Sequence, residues 1–505
     1  MKNLTIIGGG ACGAAAFIEL VIEICSLGLQ EKLSITLIER RKNFGYGLAF
    51  GTRQKSHFLN TQAELMGIYA NEPGHFAEWI KVKDGNKNEV KAEGSLSSAY
   101  TSRIFYGNYV SEQLENYFQK AREHNVKIKL INDEAVDIDR ENENKFSIGL
   151  KSSETITADY ILLAPGTPKT NKFKELRSTK SYIDFPWPSN RIKNRVNKDE
   201  TVGILGSSLS AVDTVMTLVD NGHTGEIKMF SPFGILPRVQ PSENNTFTRK
   251  YLTLGNIHKM TRTKMHHPRV KDLFRLYIKD VEAAEEKELD WKKLDRTAGP
   301  AKDFLEYDIT AAEGGGDHLL NATYSLRYDA SDIWGWMSLH QKKLFKKWLG
   351  SHWSANRHAM PLHNAKKLLS LFESGQLKVI PKNTNIEFHQ EEQEFKIETA
   401  KNGVHYVKKL INATGTSSSL KGMDNDLIHA LLEKDYLRSY PAGGAVINPR
   451  SMQVISGKAG GNMYAVGHLA NGFLLDVDAM WFNVRTISRL VSEIIFKVKQ
   501  DGDFS

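Results

Sequence analysis

The sequence predicts an α/β protein with two Rossmann-like dinucleotide-binding domains, each with a β-hairpin insert, and a helical insertion in the second domain. A strand followed by a small-residue turn and a helix occurs twice, and a hairpin pattern of equal length recurs once in each predicted domain. The chain has 505 residues, of which 40% are hydrophobic and 25% are charged. It is therefore long enough for two or three domains with their own cores.

The first turn follows an apolar run at residues 4–7 and reads Gly8-x-Gly10-x-x-Gly13. We expect a strand over 4–7 and a helix over 14–27. The first glycine permits a tight turn, the second lets a pyrophosphate approach the N–H groups of the helix N-terminus, and the third lets the helix pack against the strand. This pattern predicts a dinucleotide site.

An acidic residue supports the same prediction. The next apolar run, residues 34–38, predicts a second strand, and Glu39 follows it directly. A carboxylate in that position accepts hydrogen bonds from the hydroxyl groups of an adenosine ribose.

The second turn resembles the first but has fewer glycines. A strand predicted over 200–205 leads into Gly206-x-Ser208-x-x-Ala211, and a helix is predicted over 212–220. Small residues again stand where a phosphate would approach the backbone. A plain strand-turn-helix without a ligand is the alternative.

The strand after this turn, predicted over 226–230, bears on coenzyme choice. It ends in Ser231 and not in an acid, and Lys228 and Arg238 lie nearby in the sequence. Without a carboxylate to repel a 2′-phosphate, NADPH is favoured over NADH.

An internal repeat supports the same domain plan. Residues 146–166 and 395–415 both read as a hairpin of alternating residues that returns into a buried strand and ends in a small-residue turn. One copy lies late in each predicted domain.

Composition narrows the classes of function. Lys and Arg total 67 against 59 Asp and Glu, but the two signs are interleaved and no long basic block marks a nucleic-acid site. Cys12 and Cys25 allow no CxxC pair, disulfide framework or cysteine-based zinc site, so we expect a reducing, cytoplasmic location.

Glycines and the acids Glu19 and Glu23 interrupt the apolar N-terminal stretch, so we expect no membrane partner. We also expect no metal site.

These motifs, in this order, resemble the two-dinucleotide-binding flavoproteins. Further elements are similar to a bacterial FAD/NAD(P)-binding family that includes amino-acid N-hydroxylating monooxygenases. They are Phe44-Gly-Tyr-Gly-Leu-Ala-Phe-Gly-Thr52, His57-Phe-Leu-Asn60, Arg103-x-x-Tyr106-Gly107-x-Tyr109, Phe185-Pro-Trp187 and Arg357-His-Ala-Met-Pro361. The resemblance implies FAD in the first domain and NADPH, or NADH, in the second.

By this resemblance, residues 1–190 and 420–505 form the FAD domain, and residues 191–419 form the NAD(P)H domain with a helical insertion at about 233–375. The expected cofactor-binding residues are Gly8, Gly10, Ala11, Cys12, Gly13, Glu39, Arg40, Asn60, Arg103, Val136, Ala164, Gly166, Gly206, Ser207, Ser208, Ser210, Arg238, Thr414, Gly415 and Gly467. The chain departs from the family where Gly467-His468 replaces a Gly-Asp pair and where Ser231-Pro232 replaces a basic Ser-Arg pair.

The resemblance implies a monooxygenase that uses molecular oxygen and a flavin C4a-hydroperoxide to hydroxylate the nitrogen of a small amine or amino acid. A flavin oxidase or reductase without oxygen insertion, and a non-catalytic FAD-binding redox module, are the alternatives. An oligomer is possible.

Three residues are candidates for catalysis or substrate binding. Asn60 belongs to an element that, by resemblance, runs close to the flavin ring. Arg357 and His358 could bind a carboxylate or a nicotinamide phosphate, and pairing between domains is the alternative for both.

Overall fold

Parallel sheets form the centre of both halves of the protein in a computed structural model, which describes residues 1–83, 90–91, 96–143, 145–241, 246–290, 295–297, 299–400 and 403–503. The strands, in chain order, are β1 (Lys2–Ile7), β2 (Leu33–Ile38), β3 (Val90–Lys91), β4 (Tyr100–Thr101), β5 (Ile128–Ile131), β6 (Ala135–Asn142), β7 (Lys145–Leu150), β8 (Thr155–Ala158), β9 (Tyr160–Leu163), β10 (Tyr182–Ile183), β11 (Val202–Leu205), β12 (Ile227–Ser231), β13 (Leu377–Pro381), β14 (Asn383–His389), β15 (Glu394–Thr399), β16 (Gly403–Val407), β17 (Lys409–Asn412) and β18 (Met463–Ala465).

Helices cover the sheets and fill the insertion. In chain order they are α1 (Ala11–Ser26), α2 (His75–Val82), α3 (Arg103–Glu123), α4 (Asn190–Lys193), α5 (Leu209–Asp220), α6 (Leu254–Lys264), α7 (Val270–Glu285), α8 (Ala301–Glu313), α9 (His318–Ser325), α10 (Ala330–Trp336), α11 (Leu339–Trp348), α12 (Gly350–Arg357), α13 (Leu362–Glu373), α14 (Asp426–Glu433) and α15 (Met480–Asp503). In the described part of the chain, no helix is both long enough and apolar enough to cross a membrane.

The first sheet has the strand order β18-β9-β1-β2-β5, and all of its pairings are parallel. Its apolar strands are buried, as the strands of a parallel sheet normally are. Helix α1 begins at Ala11, three residues before the predicted start at residue 14. The end of the glycine motif is itself the first turn of the helix, because Gly13 must lie inside it to pack against β1.

The second sheet repeats this plan with the order β10-β17-β11-β12-β13, again all parallel. Strand β10 pairs with β17, so the chain enters the second sheet before residue 190, the predicted domain boundary. Helix α5 begins at Leu209, not at residue 212, for the same reason as α1.

Each hairpin insert has one more strand than predicted. Strands β6, β7 and β8 form one antiparallel sheet, and β14, β15 and β16 form another. The last strand of each sheet leads directly into a central parallel strand, β9 or β17. The predicted internal repeat thus corresponds to equivalent segments of two similar domains.

The segment between β12 and β13 is helical and contains α6 to α13. One face of α7 carries six apolar residues, and this stripe lines a cavity of about 1370 Å³, together with side chains of α10 to α12. Its members are Val270, Leu273, Phe274, Tyr277, Ile278 and Val281. Part of the stripe is nonetheless buried, because Val270 and Val281 are each 1% exposed.

After β17 the chain returns to the first domain. Leu420 and Leu427 join the first core, β18 pairs with β9, and α15 packs against α1. Ser488 on α15 donates a hydrogen bond of 2.6 Å to Glu19 on α1. The first domain therefore consists of two separate stretches of the chain.

Candidate functional site

The first glycine turn joins β1 to α1 at the carboxyl end of the first sheet. Gly8 has φ 110°, which favours glycine. A Cβ on Gly8 would lie 2.1 Å from the carbonyl oxygen of Ala164, and one on Gly13 would lie 1.9 Å from that of Gly8. Only glycine fits at these two positions, so the turn presents bare backbone.

Both glycine turns leave a helix N-terminus open to an anion. Gly10, at the start of α1, has no side chain that could cap the first N–H groups. Ser208, at the start of α5, makes no capping hydrogen bond within the described part of the chain. Free N–H groups and the helix dipole attract phosphate oxygens. The residues at both turns therefore fit the pyrophosphate of a dinucleotide.

Glu39 lies beside the first turn. Its Oε2 accepts a hydrogen bond of 2.9 Å from Gly9 N, and its Oε1 accepts one of 3.0 Å from Arg41 N. Asn132 donates from Nδ2 to the carbonyl of Glu39. This places the predicted ribose acceptor at the edge of the turn, held by backbone.

Arg40 and Val136 lie on the same side of the first domain. Arg40 is half-exposed and pairs with Glu134 at 2.8 Å. Val136 belongs to β6, the strand that follows Glu134. Gly166, just beyond β9, has φ 74°.

The second turn is built like the first. Gly206 has φ 118°, and a Cβ there would lie 2.6 Å from the carbonyl oxygen of Ala413 at the end of β17. Thr414 and Gly415 continue this neighbouring turn, and Ser210 lies in the first turn of α5. The predicted small residues therefore meet at one edge of the second sheet.

Ser207 has a structural role that the sequence did not indicate. Its Oγ lies 2.9 Å from Ser231 Oγ and 2.6 Å from the carbonyl oxygen of Ile235. The side chain thus ties the turn to the end of β12, and only its backbone N–H remains as a candidate contact for a phosphate.

Arg238 does not have the environment predicted for it. It is 2% exposed, and its guanidinium contacts Asp308 and Asp317 and donates to Asn356 Oδ1. Burial opposes its charge, but the two carboxylates outweigh this and raise the pKa of Arg238. Because the guanidinium of Arg238 is buried and already pairs with two carboxylates of the helical insertion, few of its N–H groups are available to bind a 2′-phosphate.

Arg103 also differs from its prediction. Its Nη2 donates to Asp213 Oδ2 on α5 at 2.6 Å, and its guanidinium lies over the ring of Trp187. His57 reaches the same helix, with Nε2 2.9 Å from Thr217 Oγ1. Arg103 therefore connects the two domains, and its place among the cofactor-binding residues stays a prediction.

Gln240, a residue the sequence did not single out, links the backbone segments that carry the three candidates for catalysis. The Nε2 of Gln240 donates to the carbonyls of Asn60 and Ala359, and Ala359 follows Arg357 and His358 directly. Gln240 is 4% exposed. Burial, reinforced by the charge of Arg357, lowers the pKa of His358.

His468, where the chain departs from the Gly-Asp pair of the family pattern, has an acid as its partner. His468 Nδ1 lies 3.0 Å from Asp478 Oδ1, and its Nε2 lies 2.9 Å from the carbonyl oxygen of Ser417. Both partners only accept, so both ring nitrogens must donate. Burial opposes the charged ring, but Asp478 outweighs this and raises the pKa of His468.

Cys12 lies close to this group. A Cβ on Gly467 would be 3.7 Å from Cys12 Sγ. Burial, with the charge of Asp478, raises the pKa of Cys12 to about 12. The thiol is therefore protonated at neutral pH and is a poor nucleophile.

Several buried polar atoms at the junction of the domains have no hydrogen-bond partner in the described part of the chain. They belong to Gln62, Tyr324, Arg327, Arg357 and Asp476, of which the last two face each other as an ion pair with Nε and Oδ1 3.3 Å apart. Buried polar groups are normally paired, so a cluster of unpaired ones indicates a ligand site. Among the described residues, no group of three or more His, Cys, Asp and Glu side chains could hold a metal ion.

Comparisons with known proteins agree with this geometry. Residues 5–168 match the model of a family described as FAD-NAD(P)-binding. The uncharacterized protein YdhS of Escherichia coli K12 is 23% identical over 225 residues, which cover 43% of this chain and 39% of that protein. The chain thus matches well under half the length of this relative.

Solved structures are similar over almost the whole chain. L-lysine 6-monooxygenase from Pseudomonas syringae has a TM-score of 0.59 at 14% identity and covers 99% of this chain and 100% of its own. Ornithine hydroxylase from Pseudomonas aeruginosa has a TM-score of 0.58 at 12% identity, with 99% of both chains covered. An ornithine N-hydroxylase from Kutzneria has a TM-score of 0.57 at 12% identity, with 99% and 100% covered.

These similarities confirm the predicted fold class and the predicted resemblance. Residues 5–168 match a family described as FAD-NAD(P)-binding, and the whole chain has the two-domain fold of the lysine and ornithine hydroxylases named above.

Proposed function

We propose that the protein is an FAD-dependent, NAD(P)H-consuming monooxygenase that hydroxylates the nitrogen of a small amine or amino acid. One observation carries the proposal. Two open glycine turns, each at the carboxyl edge of its own parallel sheet, occur together with a buried polar cluster at the domain junction. In open α/β sheets, ligands bind at this edge.

The two turns have separate roles in this proposal. Gly8, Gly10 and Gly13 would hold the pyrophosphate of FAD, and Glu39 would accept from its ribose. Gly206 and the N-terminus of α5 would hold NADPH or NADH. When bound, FAD supplies the redox chemistry, with NAD(P)H as electron donor and oxygen as oxidant.

The protein's own groups would prepare the substrate. An amine attacks through its lone pair, so it must lose its ammonium proton first. His358 is suited to accept a hydrogen bond from the amine and so orient its lone pair, because its lowered pKa keeps the imidazole neutral at pH 7. Gln240 holds the backbone of Asn60 and of Ala359, and so fixes the segments that carry Asn60 and His358.

The two cysteines support oxygen, and not a disulfide of the protein, as the acceptor of the electrons from the flavin. Cys12 has a raised pKa, and Cys25 lies on the same helix three and a half turns away. These two thiols cannot meet to form a disulfide.

The test is to reduce the FAD-loaded protein with NADPH or NADH without oxygen and then mix it with aerated buffer and an amine. We expect hydroxylamine product in proportion to NADPH consumed, and loss of this product in H358N with flavin reduction unchanged. Stoichiometric hydrogen peroxide with every amine would instead assign a flavin oxidase. Absence of flavin reduction by either nucleotide would exclude both enzymes.

A further inference from the structure

The large cavity of the helical insertion has no role in the proposed function, and no described residue of either glycine turn lines it. Its volume of about 1370 Å³ exceeds the roughly 300–1,000 Å³ of typical small-molecule sites. The apolar stripe of α7 forms part of the wall, and Trp334, Phe345 and Trp353 add aromatic rings from α10, α11 and α12. A cavity with apolar walls holds little water and binds apolar ligands.

The polar side chains in the wall are largely paired with one another. Arg238 and Arg296 both contact Asp308, at 3.0 Å and 2.6 Å, and Nε of Arg296 has no partner in the described part of the chain. The hydroxyl group of Tyr277 donates to the carbonyl of Leu319 at 2.6 Å. Because most of these groups already have partners, they require few hydrogen bonds from a ligand. The part of the ligand that lies inside the cavity is therefore apolar.

The length of the cavity wall indicates the size of that apolar part. From Val270 to Val281 the stripe extends about 16 Å along the axis of α7. Phe233, Tyr307 and Trp348 also line the cavity and are 50%, 56% and 48% exposed, so they form an aromatic mouth. Exposed apolar side chains around a groove are typical of a ligand site. A long alkyl chain suits this wall, whereas a small amine would fill only a fraction of it.

Three cations line the same cavity and indicate the charge of the ligand. Lys271 and Arg275 lie one turn apart on α7, and Lys347 lies on α11. The two helices meet there, because the rings of Phe274 and Trp348 contact each other at 5.1 Å. All three cations are exposed, and none of them has an ion pair within the described part of the chain. Like charges one helical turn apart repel each other, so an anion beside them would be favourable.

The acidic residues of the lining do not neutralise these cations. They come from the far end of α7 and from the segments that follow it, and they are Glu285, Asp295, Asp303 and Asp317. Glu285 pairs with Lys287 and His318, and Asp317 pairs with Arg238. The cavity thus combines an apolar wall with unpaired positive charge near the start of α7.

We propose that this cavity binds a long-chain carboxylate of the fatty acid class. The alkyl chain lies along the stripe of α7, and the carboxylate lies beside Lys271, Arg275 and Lys347. This site is separate from the two dinucleotide turns, and the inference does not depend on the proposed function. An anionic membrane lipid has a similar chemistry, and the experiment distinguishes the two sources.

The experiment is calorimetric titration of the FAD-loaded protein with octanoate, dodecanoate and dodecyltrimethylammonium, each below the concentration at which it forms micelles. We expect dodecanoate to bind about 100-fold more tightly than octanoate, because four more methylene groups leave water. Dodecyltrimethylammonium has the same chain with a cationic head, and it should bind about 10-fold more weakly than dodecanoate.

Two variants that narrow the cavity test where the chain lies. Ser351 is half-buried and Ala330 is buried, and both line the cavity, so S351F and A330F should each lower the affinity for dodecanoate about 10-fold or more. A283F is the matched control, because Ala283 is exposed on α7 and does not line the cavity. Flavin content and thermal unfolding identify a variant that does not fold, and the other variant then provides the test.

Charge reversals test where the carboxylate lies. R275E and K347E should each weaken dodecanoate binding about 5-fold and strengthen binding of dodecyltrimethylammonium. The matched controls are K279E and K343E, because each changes an exposed lysine one turn away on the same helix that does not line the cavity. Neither control should change the ratio of the two affinities by more than about twofold.

Four outcomes would overturn the proposal. They are an affinity that does not depend on chain length, equal affinity for the two dodecyl probes, dodecanoate binding that is unchanged in a folded S351F or A330F, and equal effects of the charge reversals and their controls. Co-sedimentation with phosphatidylglycerol vesicles, without binding of free dodecanoate, would assign the surface to a membrane and also overturn it. Because calorimetry needs no turnover, none of these results depends on whether the protein hydroxylates an amine.

Discussion

Arg103 of the first domain donates to Asp213 of the second, with Nη2 and Oδ2 2.6 Å apart and the two side chains 17% and 5% exposed. This ion pair lies beside His57 and Trp187, which contact each other and link the same two domains. The relative position of the glycine turns depends on this connection.

R103A should therefore destabilise the protein by about 3 kcal/mol, because it leaves Asp213 buried without its cation. K81A is the control, since Lys81 and Glu78 form an exposed pair whose loss should cost less than about 1 kcal/mol. Urea unfolding of both variants measures the difference. Equal losses in the two variants would contradict a structural role for the Arg103 pair.

G13A should abolish stable flavin binding. The new Cβ would lie 1.9 Å from the carbonyl oxygen of Gly8, so the turn must deform where the pyrophosphate is expected. G255A is the matched control, because a Cβ on Gly255 meets no atom within 4 Å. The flavin-to-protein ratio after gel filtration should fall in G13A and stay unchanged in G255A, and retention of flavin in G13A would place FAD elsewhere.

R238Q should destabilise the helical insertion without changing the preference for NADPH over NADH. Asp317 would lose its cation and Asp308 would keep only Arg296, at a cost of about 3 kcal/mol. The ratio of kcat/KM for the two coenzymes, measured by flavin reduction, should match that of the unaltered protein. A specific rise in the KM for NADPH would restore Arg238 as a phosphate contact.

Stability should fall in acid because of His57. Burial lowers the pKa of this imidazole, which lies between Thr52 Oγ1 and the partners on α5. An imidazole whose pKa is lower in the folded state than in the unfolded state favours folding at pH values above its ordinary pKa of 6.5. This contribution is lost as the pH falls through the pKa of the folded state. Unfolding free energies from pH 8 to pH 5 should drop, and the drop should be smaller in H57Q.

His468 should show the opposite dependence. Asp478 raises the pKa of His468, so this pair stabilises the folded protein at pH values below 6.5. The stabilisation is lost as the pH rises through the pKa of His468 in the folded state. The stability difference between the unaltered protein and D478N should be largest near pH 6 and should shrink in alkali. A difference that grows with pH would show that His468 is neutral.

The glycine turns could be predicted because their chemistry is local. Gly8, Gly10 and Gly13 lie between a strand and a helix that are adjacent in sequence, and the same holds for Gly206 and Ser208. The resemblance also indicated Asn60, Arg357 and His358, but sequence alone could not show that one side chain links their segments.

The rest of the site depends on contacts between distant segments. Gln240 joins Asn60 to Ala359 across 180 and 119 residues, and no pattern around Gln240 marks it. For Arg238 the sequence pattern pointed to a role that the contacts do not support, because a basic residue soon after β12 is typical of a phosphate contact. Its partners Asp308 and Asp317 come from the helical insertion, which carries no such motif.

The order of the strands also has a consequence for synthesis of the protein. Strand β18 and helix α15, which complete the first sheet and cover α1, come from the last 43 residues of this 505-residue sequence, after the entire second domain. A nascent chain therefore carries its first glycine turn for hundreds of residues before the neighbours of β9 and α1 emerge from the ribosome. The first sheet is thus begun before the second domain is made and completed after it, and a chain halted before residue 463 would leave one edge of β9 and one face of α1 exposed to other molecules.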